Sequence, residues 1–226
     1  MIQTIKELKA LKSNHIEMWN IVQSQVEKSF IALRTGDKLK AHEVITVEPF
    51  VNTHELMLDR ESADFITLFS PVAVDVRFIL SLMKITNNLE RIADFAENIS
   101  ICVKDKFKEP IPSKLFEDLQ LEKMMQTASK MLAMTRDSLI EENTSRCNEV
   151  LEMDNILDEI NAKSFHVLSS FIQENNEKTE FALYLYTVIK RIERMGDRTS
   201  NIVEDIIFFI EARDVRHGKK SFLDKM

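Results

Sequence analysis

The amino-acid sequence predicts an all-α fold of two tandem three-helix bundles, and three observations support this. An eleven-residue segment, 89–99, recurs at 192–202 with Glu, Arg, Asp, Asn and Ile at matching places. Three glycines and four prolines in 226 residues are few for a sheet protein, which needs a turn about every ten residues. Apolar residues around both segments alternate spacings of four and three, the pattern of one packed helix face.

The duplication extends over most of the chain. The apolar positions of 78–103 match those of 181–206 at a shift of 103, with no insertion. Upstream, a shift of 106 aligns Glu48 with Asp154, so the second copy lacks three residues in one connection. We therefore expect six long helices, three in each copy.

These matches define the predicted organisation of the chain. The first repeat occupies residues 1–108 and the second occupies 113–212. A polar tail of mixed charge, 213–226, is expected to fray.

Glycine, proline and capping residues divide the first repeat into three helices. Gly36 followed by Asp37 is typical of a helix end and a new N-cap, and Ser70 before Pro71 predicts an N-cap with proline at the first helical position. The expected helices lie near 6–35, 37–68 and 71–106.

The second repeat is divided in the same way. Prolines and Ser113 within 110–113 separate it from the first repeat, and Ser113 is expected to cap its first helix. The polar stretch 174–177 makes the last turn. The expected helices lie near 113–142, 144–174 and 177–212.

Two features of the second helix conflict with this pattern. Residues 44–47 are β-branched and favour a strand locally, whereas their copy, 150–153, does not. We follow the copy and predict a helix. Pro49 then falls inside that helix, where it removes one backbone hydrogen bond and is expected to cause a kink.

Composition limits the class of partner. A net charge of −7 disfavours nucleic acid or an anionic membrane surface as the main partner. Cys102 and Cys147 are isolated, so neither a zinc site nor a disulfide framework is indicated. The N-terminus lacks a signal-peptide pattern, and there is no apolar run of about 18 residues. These features predict a cytoplasmic protein.

Acidic residues four apart, and hence on one helix face, occur in both repeats. The third helix of each repeat carries a Glu/Asp pair, and the second helix carries a further group of oxygen-bearing residues. The pairs are Glu90 with Asp94, Glu193 with Asp197, Asp154 with Asp158, and Glu48 with Asn52.

If these faces oppose each other, four oxygen-bearing side chains meet in each repeat. Such a site suits Fe, Mn, Mg or Ca, and Asn98 and Asn201 could add carbonyl ligands or hydrogen bonds. Alternatively, Arg91, Arg194 and Arg198 pair with the acids on a solvated face. Both interpretations remain open from sequence.

Ala93 and Gly196 hold equivalent places between each Glu and Asp. Glycine inside a helix costs about 1 kcal/mol relative to alanine, so a compensating reason is expected. Close helix packing is the favoured reason, and room for an ion or a partner backbone is the alternative.

The motifs of common enzyme classes are missing from the sequence. There is no glycine-rich phosphate loop, nucleophile elbow, kinase or dinucleotide motif. None of the five histidines follows a glutamate by three residues, which counts against a carboxylate-bridged di-iron oxidase. We therefore expect a protein without catalytic activity or an organic cofactor.

Three motifs give the sequence a family resemblance. Residues 89–94 and 192–197 resemble the duplicated Glu-Arg-Ile-Gly-Asp signature of the PhoU family, and 71–77 is similar to its Pro-x-x-x-Asp-x-Arg stretch. The resemblance covers nearly the whole chain. It implies a cytoplasmic negative regulator that couples a phosphate ABC transporter, through its ATPase, to a sensor histidine kinase.

The resemblance also implies metal ligands, because some members carry iron or zinc clusters on paired acidic motifs. Motif matching assigns this role to seven residues: Asp154, Asp158, Glu193 and Asp197 in the second repeat, and Glu48, Glu90 and Asp94 in the first. In the first repeat, Asn52 departs from the expected aspartate, Pro49 disturbs the same helix, and Ala93 replaces the usual glycine. We therefore expect Asp197→Ala to lose more metal than Asp94→Ala.

Three functions are compatible with the sequence. The leading hypothesis is the phosphate regulator, acting as a homodimer and reaching the membrane only through its partners. The alternatives are a ferritin-like metal oxidase or metal store, and a PhoU-like accessory protein of another anion permease.

Overall fold

A computed structural model of the chain describes the backbone of residues 2–215 and the side chains from residue 4 onward. Of the predicted tail, 213–215 follow the last helix without regular structure, and 216–226 lie outside the described residues. No helix within 2–215 combines the length and apolar character needed to span a membrane.

The described residues form seven α-helices and no strand. These are α1 (Ile2–Thr35), α2 (Lys38–Phe69), α3 (Ala73–Ile101), α4 (Ser113–Asp118), α5 (Leu121–Glu141), α6 (Cys147–Glu174) and α7 (Thr179–Glu211). A π-helical turn, Cys102–Lys106, extends α3, and a 3₁₀ turn, Asn176–Lys178, precedes α7. The all-α prediction of two tandem three-helix bundles is confirmed: α1–α3 form repeat one and α4–α7 form repeat two.

The predicted junction between α1 and α2 is confirmed. Gly36 has φ 72°, a left-handed conformation that glycine adopts without strain, and a Cβ atom there would lie 2.9 Å from Cγ of Pro110. The Asp37 side chain accepts hydrogen bonds from the amides of Leu39 and Lys40. Helix α2 then runs through 44–47 and Pro49, so the helical prediction for the β-branched stretch is also confirmed.

The predicted junction between α2 and α3 was wrong in detail. Ser70 does not cap α3: it ends α2 in a left-handed conformation, with φ 45°. Helix α3 starts at Ala73 rather than 71, after Val72, which makes no side-chain capping bond. A residue preceding proline is sterically disfavoured in the right-handed helical region, so Pro71 separates the two helices instead of starting one.

The predicted helix 113–142 is two helices. Gln120 has φ 50° and breaks the chain between α4 and α5. Leu119 and Leu121 are both buried. Residues two apart on one continuous helix do not share a face, so the break is what allows both side chains to enter the core. Ser113 is the first residue of α4, and Pro112 stands at its N-cap without a side-chain cap, contrary to the prediction for Ser113.

The two repeats pack side by side through α3 and α7, which run antiparallel. The rings of Phe78 and Phe209 lie 4.6 Å apart, and Arg77 donates to the Phe209 carbonyl at 3.0 Å. Lys84 pairs with Asp205 at 3.3 Å one to two turns further on. Buried side chains from both repeats form one continuous core, which holds the acidic segments of α3 and α7 at fixed positions.

Candidate metal centre

Repeat one brings three carboxylates together between α2 and α3. One oxygen each from Glu48, Asp94 and Glu97 lies within 4.8 Å of the others. In the part of the chain that the structure describes, this is the one group of three or more potential ligands that converge so closely. The sequence predicted Glu48 and Asp94 but missed Glu97.

Asn52 supports this cluster rather than disrupting it. Its amide donates a hydrogen bond to the carboxylate of Glu48, a residue that is 9% exposed. A neutral donor at this position holds one buried carboxylate in place without adding a fourth negative charge. Asparagine in place of the expected aspartate at position 52 is therefore compatible with a defined site.

Glu90 lies beside the cluster and is paired with an arginine. Its side chain is 12% exposed, and one carboxylate oxygen lies 3.3 Å from Arg91 Nε. Arg91 also donates to Asp94 at 3.2 Å. The predicted pairing of acids by Arg91 is thus present, but Arg91 is half exposed and does not contact Glu48 or Glu97 through any ion pair found among the described residues.

Burial and neighbouring acids together favour the protonated form of two acids at this site. Burial raises the pKa of Glu90 to about 7, and the charges of Asp94, Glu55 and Glu48 act in the same direction against Arg91. Burial, followed by the charges of Glu48 and Asp94, also raises the pKa of Glu97. A bound cation would favour the ionised form of both carboxylates and so lower both pKa values.

Repeat two holds its four predicted acids in a looser arrangement. Asp158 and Asp197 are exposed, whereas Asp154 and Glu193 are half buried. These four residues influence one another electrostatically: burial raises the pKa of Asp154 to about 6, Ser200 lowers it, and the other three acids raise it further. Yet no three of their oxygens converge as those of repeat one do.

The acids of repeat two are instead bound by neighbouring side chains. Ser200, the counterpart of Glu97, donates to Asp154 at 3.0 Å. Glu193 accepts from Lys190 at 3.3 Å and from Asn161 at 3.4 Å. One buried oxygen each of Asp154 and Glu193 nevertheless has no hydrogen-bond partner.

Gly196 is explained by close packing. A Cβ atom there would contact Leu157 and would lie 2.6 Å from the Asp154 carboxylate. The favoured interpretation of this glycine, close approach of α6 and α7, is supported, and the space beside the acids is already filled.

The remaining predicted residues lie around the sites without contributing ligands. Asn98 donates to the backbone carbonyl of Asp94 at 2.7 Å. Asn201 lines an open groove of about 460 Å³ between α3 and α7. Arg194 lies over the ring of Phe95, with 5.0 Å between its guanidinium carbon and the ring centroid.

The residues of repeat one fit a hard cation. Three converging carboxylates and no histidine or cysteine form the oxygen-only donor set that Fe, Mn, Mg or Ca accepts, and zinc also binds carboxylate oxygen. This group contains no imidazole, whereas ferritin-like di-iron proteins bind their metal with Glu-x-x-His pairs.

Comparison with known proteins gives a consistent result. A family model described as the PhoU domain matches residues 16–103 and again 121–206. A phosphate-specific transport system accessory protein PhoU homolog from Archaeoglobus fulgidus is 31% identical over 207 residues, covering 92% of this chain and 94% of the relative. The accessory protein PhoU of Escherichia coli is 26% identical over 220 residues, with 97% and 90% covered.

Two solved structures share the fold. The crystal structure of PhoU from Pseudomonas aeruginosa has a TM-score of 0.86 at 22% identity and covers 92% of this chain and 99% of that chain. The phosphate transport system regulatory protein PhoU from Streptococcus pneumoniae has a TM-score of 0.81 at 20% identity, with 94% and 99% covered.

Proposed function

This chain belongs to the PhoU family, and from that premise we propose that it is a noncatalytic cytoplasmic regulator of phosphate uptake and of phosphate-starvation signalling. It acts by docking onto the ATPase of a phosphate ABC transporter and onto a sensor histidine kinase. The observation that carries the proposal is the match of both repeats to the PhoU domain, together with relatives named as accessory proteins of phosphate transport.

A deletion strain tests the regulatory role. We expect a phosphate-starvation promoter to become active in phosphate-rich medium when the gene is deleted, and to be repressed again when the chain is restored. Intact repression in the deletion strain would refute the proposal. Uptake assays with phosphate and with a second anion distinguish a phosphate regulator from an accessory protein of another permease.

We also propose that repeat one binds a metal ion, iron or zinc in the first instance, through Glu48, Asp94 and Glu97. The bound ion would neutralise the acids and hold α2 against α3. Glu90 would remain beside the ion and adjust the charge of the site. The structure supports this choice of ligands because their oxygens converge and the pKa values of Glu90 and Glu97 are raised.

A reciprocal exchange between the repeats tests the ligand set. Glu97→Ser gives repeat one the residue found in repeat two, and Ser200→Glu does the converse. We expect the first variant to lose metal and the second to gain it, as measured by titration calorimetry with iron(II) or zinc. If Glu97→Ser binds metal as tightly as the wild type does, Glu97 is not a ligand.

The metal-oxidase alternative is tested on the same protein. A regulator loaded with iron(II) should consume no oxygen beyond the buffer control. Sustained oxygen consumption that disappears in Asp94→Ala would establish the alternative instead.

A further inference from the structure

The side of α2 that faces away from the bundle carries large apolar side chains. Five of them are between 53% and 80% exposed: Leu39, Phe50, Leu56, Met57 and Leu68. No other helix in the described part of the chain carries more than two exposed large apolar residues. The opposite side of α2 is mostly apolar and is buried in the core, so this helix has the composition of one that is covered on both sides.

Four of these residues form a straight row, which we call the α2 stripe. Its members in order are Leu39, Phe50, Met57 and Leu68, at spacings of 11, 7 and 11 residues. These spacings return to the same side of an α-helix within about 20°, and the row is about 44 Å long.

The middle of this surface is free of charge. The exposed residues from 46 to 57 are all uncharged. Thr46 and Thr53 lie among them, and each donates its hydroxyl proton to a backbone carbonyl one turn earlier in α2. Neither hydroxyl therefore needs a partner from outside the helix, and the surface can be covered by apolar groups at little cost.

The corresponding side of α6 in repeat two is charged. The shift of 106 places Lys163 at the position of Met57. It also places Glu159 at the position of Thr53. Lys163 and Glu159 are exposed and form an ion pair at 2.5 Å. The outer side of α6 is therefore a solvated helix face, whereas that of α2 is not.

The α2 stripe is symmetric about its centre. Leu39 and Leu68 lie equally far from the midpoint of 53–54, and so do Phe50 and Met57. An isologous interface requires a surface that is complementary to itself. Two copies of α2 packed antiparallel about a two-fold axis at this midpoint place each leucine of the stripe against the other leucine, and each Phe50 against a Met57.

The exposed area is large enough for a dimer. If a large side chain without contacts exposes about 200 Å², the five apolar residues leave roughly 600 Å² on each copy. That area is at the upper end of the largest apolar patch of a typical monomer, about 300–600 Å². Two copies together supply about 1,200 Å², which reaches the size range of specific interfaces.

The charged residues beside the stripe are compatible with this pairing. In the antiparallel arrangement, Glu43 lies across from Asp64 of the partner subunit. Within one chain, Glu43 is 3.1 Å from Lys28 and Asp64 is 3.8 Å from Arg60. Each acid therefore brings its own counter-charge to the edge of the interface.

We propose that the α2 stripe binds a second copy of this chain, in an antiparallel α2–α2 dimer whose two-fold axis passes beside Thr53. The homodimer expected from sequence thereby has a defined interface. The proposal does not depend on the regulatory role, because it rests on the spacing, exposure and area of the stripe alone.

Light scattering coupled to size-exclusion chromatography measures the oligomeric state of the full chain. We expect a mass twice the 26.3 kDa of one chain. Phe50→Glu should raise the dimer dissociation constant at least about a hundredfold, because the two-fold axis brings the new charge into the apolar contact twice. Phe165→Glu is the matched control: this phenylalanine is 61% exposed on α6, and its replacement should change the constant by less than about twofold.

Oxidative cross-linking tests the direction and register of the helices. Thr53→Cys lies beside the proposed axis and should form a disulfide with its copy, whereas Thr46→Cys lies about 20 Å from its copy along the helix and should not. Cys102 and Cys147 are buried, so the oxidised wild type is the control for cross-linking through native cysteines.

Circular dichroism checks that each variant folds, and Met57→Glu repeats the dissociation test at the position that faces Phe50. A monomeric wild type would show that the stripe does not bind a second copy. A dimer unaffected by both glutamate substitutions, or equal cross-linking at positions 46 and 53, would also overturn the proposal. Each of these results would leave the regulatory role intact.

Discussion

Replacing Glu90 by glutamine should stabilise the metal-free protein at pH 8. Burial raises the pKa of Glu90 from 4.5 to about 7 in the folded state, with further contributions from Asp94, Glu55 and Glu48. The folded protein therefore holds this proton over a pH range in which the unfolded chain has released it. Unfolding free energy falls as pH rises from about 4.5 to about 7, and that loss is complete above this range.

The size of the effect follows from the shift in pKa. A pKa unit corresponds to about 1.4 kcal/mol, and partial solvent screening of the Glu90 carboxylate reduces the total to about 1–2 kcal/mol at pH 8. In a chain of 226 residues this raises Tm by about 3–6 °C. At pH 5 most of the gain should vanish because the carboxyl group is then protonated in the folded wild type.

Thermal unfolding of chelator-treated protein, followed by circular dichroism at pH 5 and pH 8, measures this difference. Glu17→Gln, on an exposed carboxylate of α1 outside the acidic cluster, is the matched control and should change Tm by less than about 1 °C at either pH. A Glu90→Gln variant with unchanged or lower stability at pH 8 would show that the buried charge is already compensated, and the electrostatic reasoning would fail.

Two further predictions concern buried positions outside the acidic cluster. Burial of His15 lowers its pKa, so the folded protein should lose stability as pH falls below about 6.5. His15→Leu should lose less stability than the wild type between pH 8 and pH 5, as measured by urea unfolding at both pH values. An equal loss in the variant and the wild type would disprove this prediction. Gly196→Ala should destabilise by about 1 kcal/mol despite better helix propensity, since the new methyl meets Leu157 and Asp154. A more stable Gly196→Ala variant in thermal unfolding would contradict close packing as the reason for this glycine.

Most helices could be predicted because their signals are local. Amphipathic spacing and its repetition identified α3 and α7, and Gly36 with Asp37 identified the end of α1 and the start of α2. The conflict at 44–47 was resolved correctly by the second copy. Repetition therefore supplied information that residue propensity alone did not.

The break between α4 and α5 could not be predicted locally. Gln120 is neither glycine nor asparagine, so its left-handed backbone carries no turn signal. It is explained by the burial of both Leu119 and Leu121, which depends on the helices packed around them. Tertiary packing overrode helix propensity at this point.

The acidic cluster was only partly predictable for a related reason. Glu97 follows Asp94 by three residues and so shares its helix face, a signal that was present in the sequence. Its counterpart in repeat two is Ser200, so Glu97 does not belong to the acidic pattern that recurs in both repeats. Which of the two repeats brings its oxygens together depends on the relative heights of neighbouring helices, and a single sequence does not contain this information.

The metal content of purified protein tests the account most directly. Elemental analysis of wild type, Asp94→Ala and Asp197→Ala, all prepared without chelator or affinity metal, gives the number of ions per chain. The sequence led us to expect a greater loss of metal in Asp197→Ala. Because Glu48, Asp94 and Glu97 converge in repeat one, the structure predicts the reverse, a greater loss in Asp94→Ala. Equal loss, greater loss in Asp197→Ala, or no metal in the wild type would contradict a metal centre in repeat one.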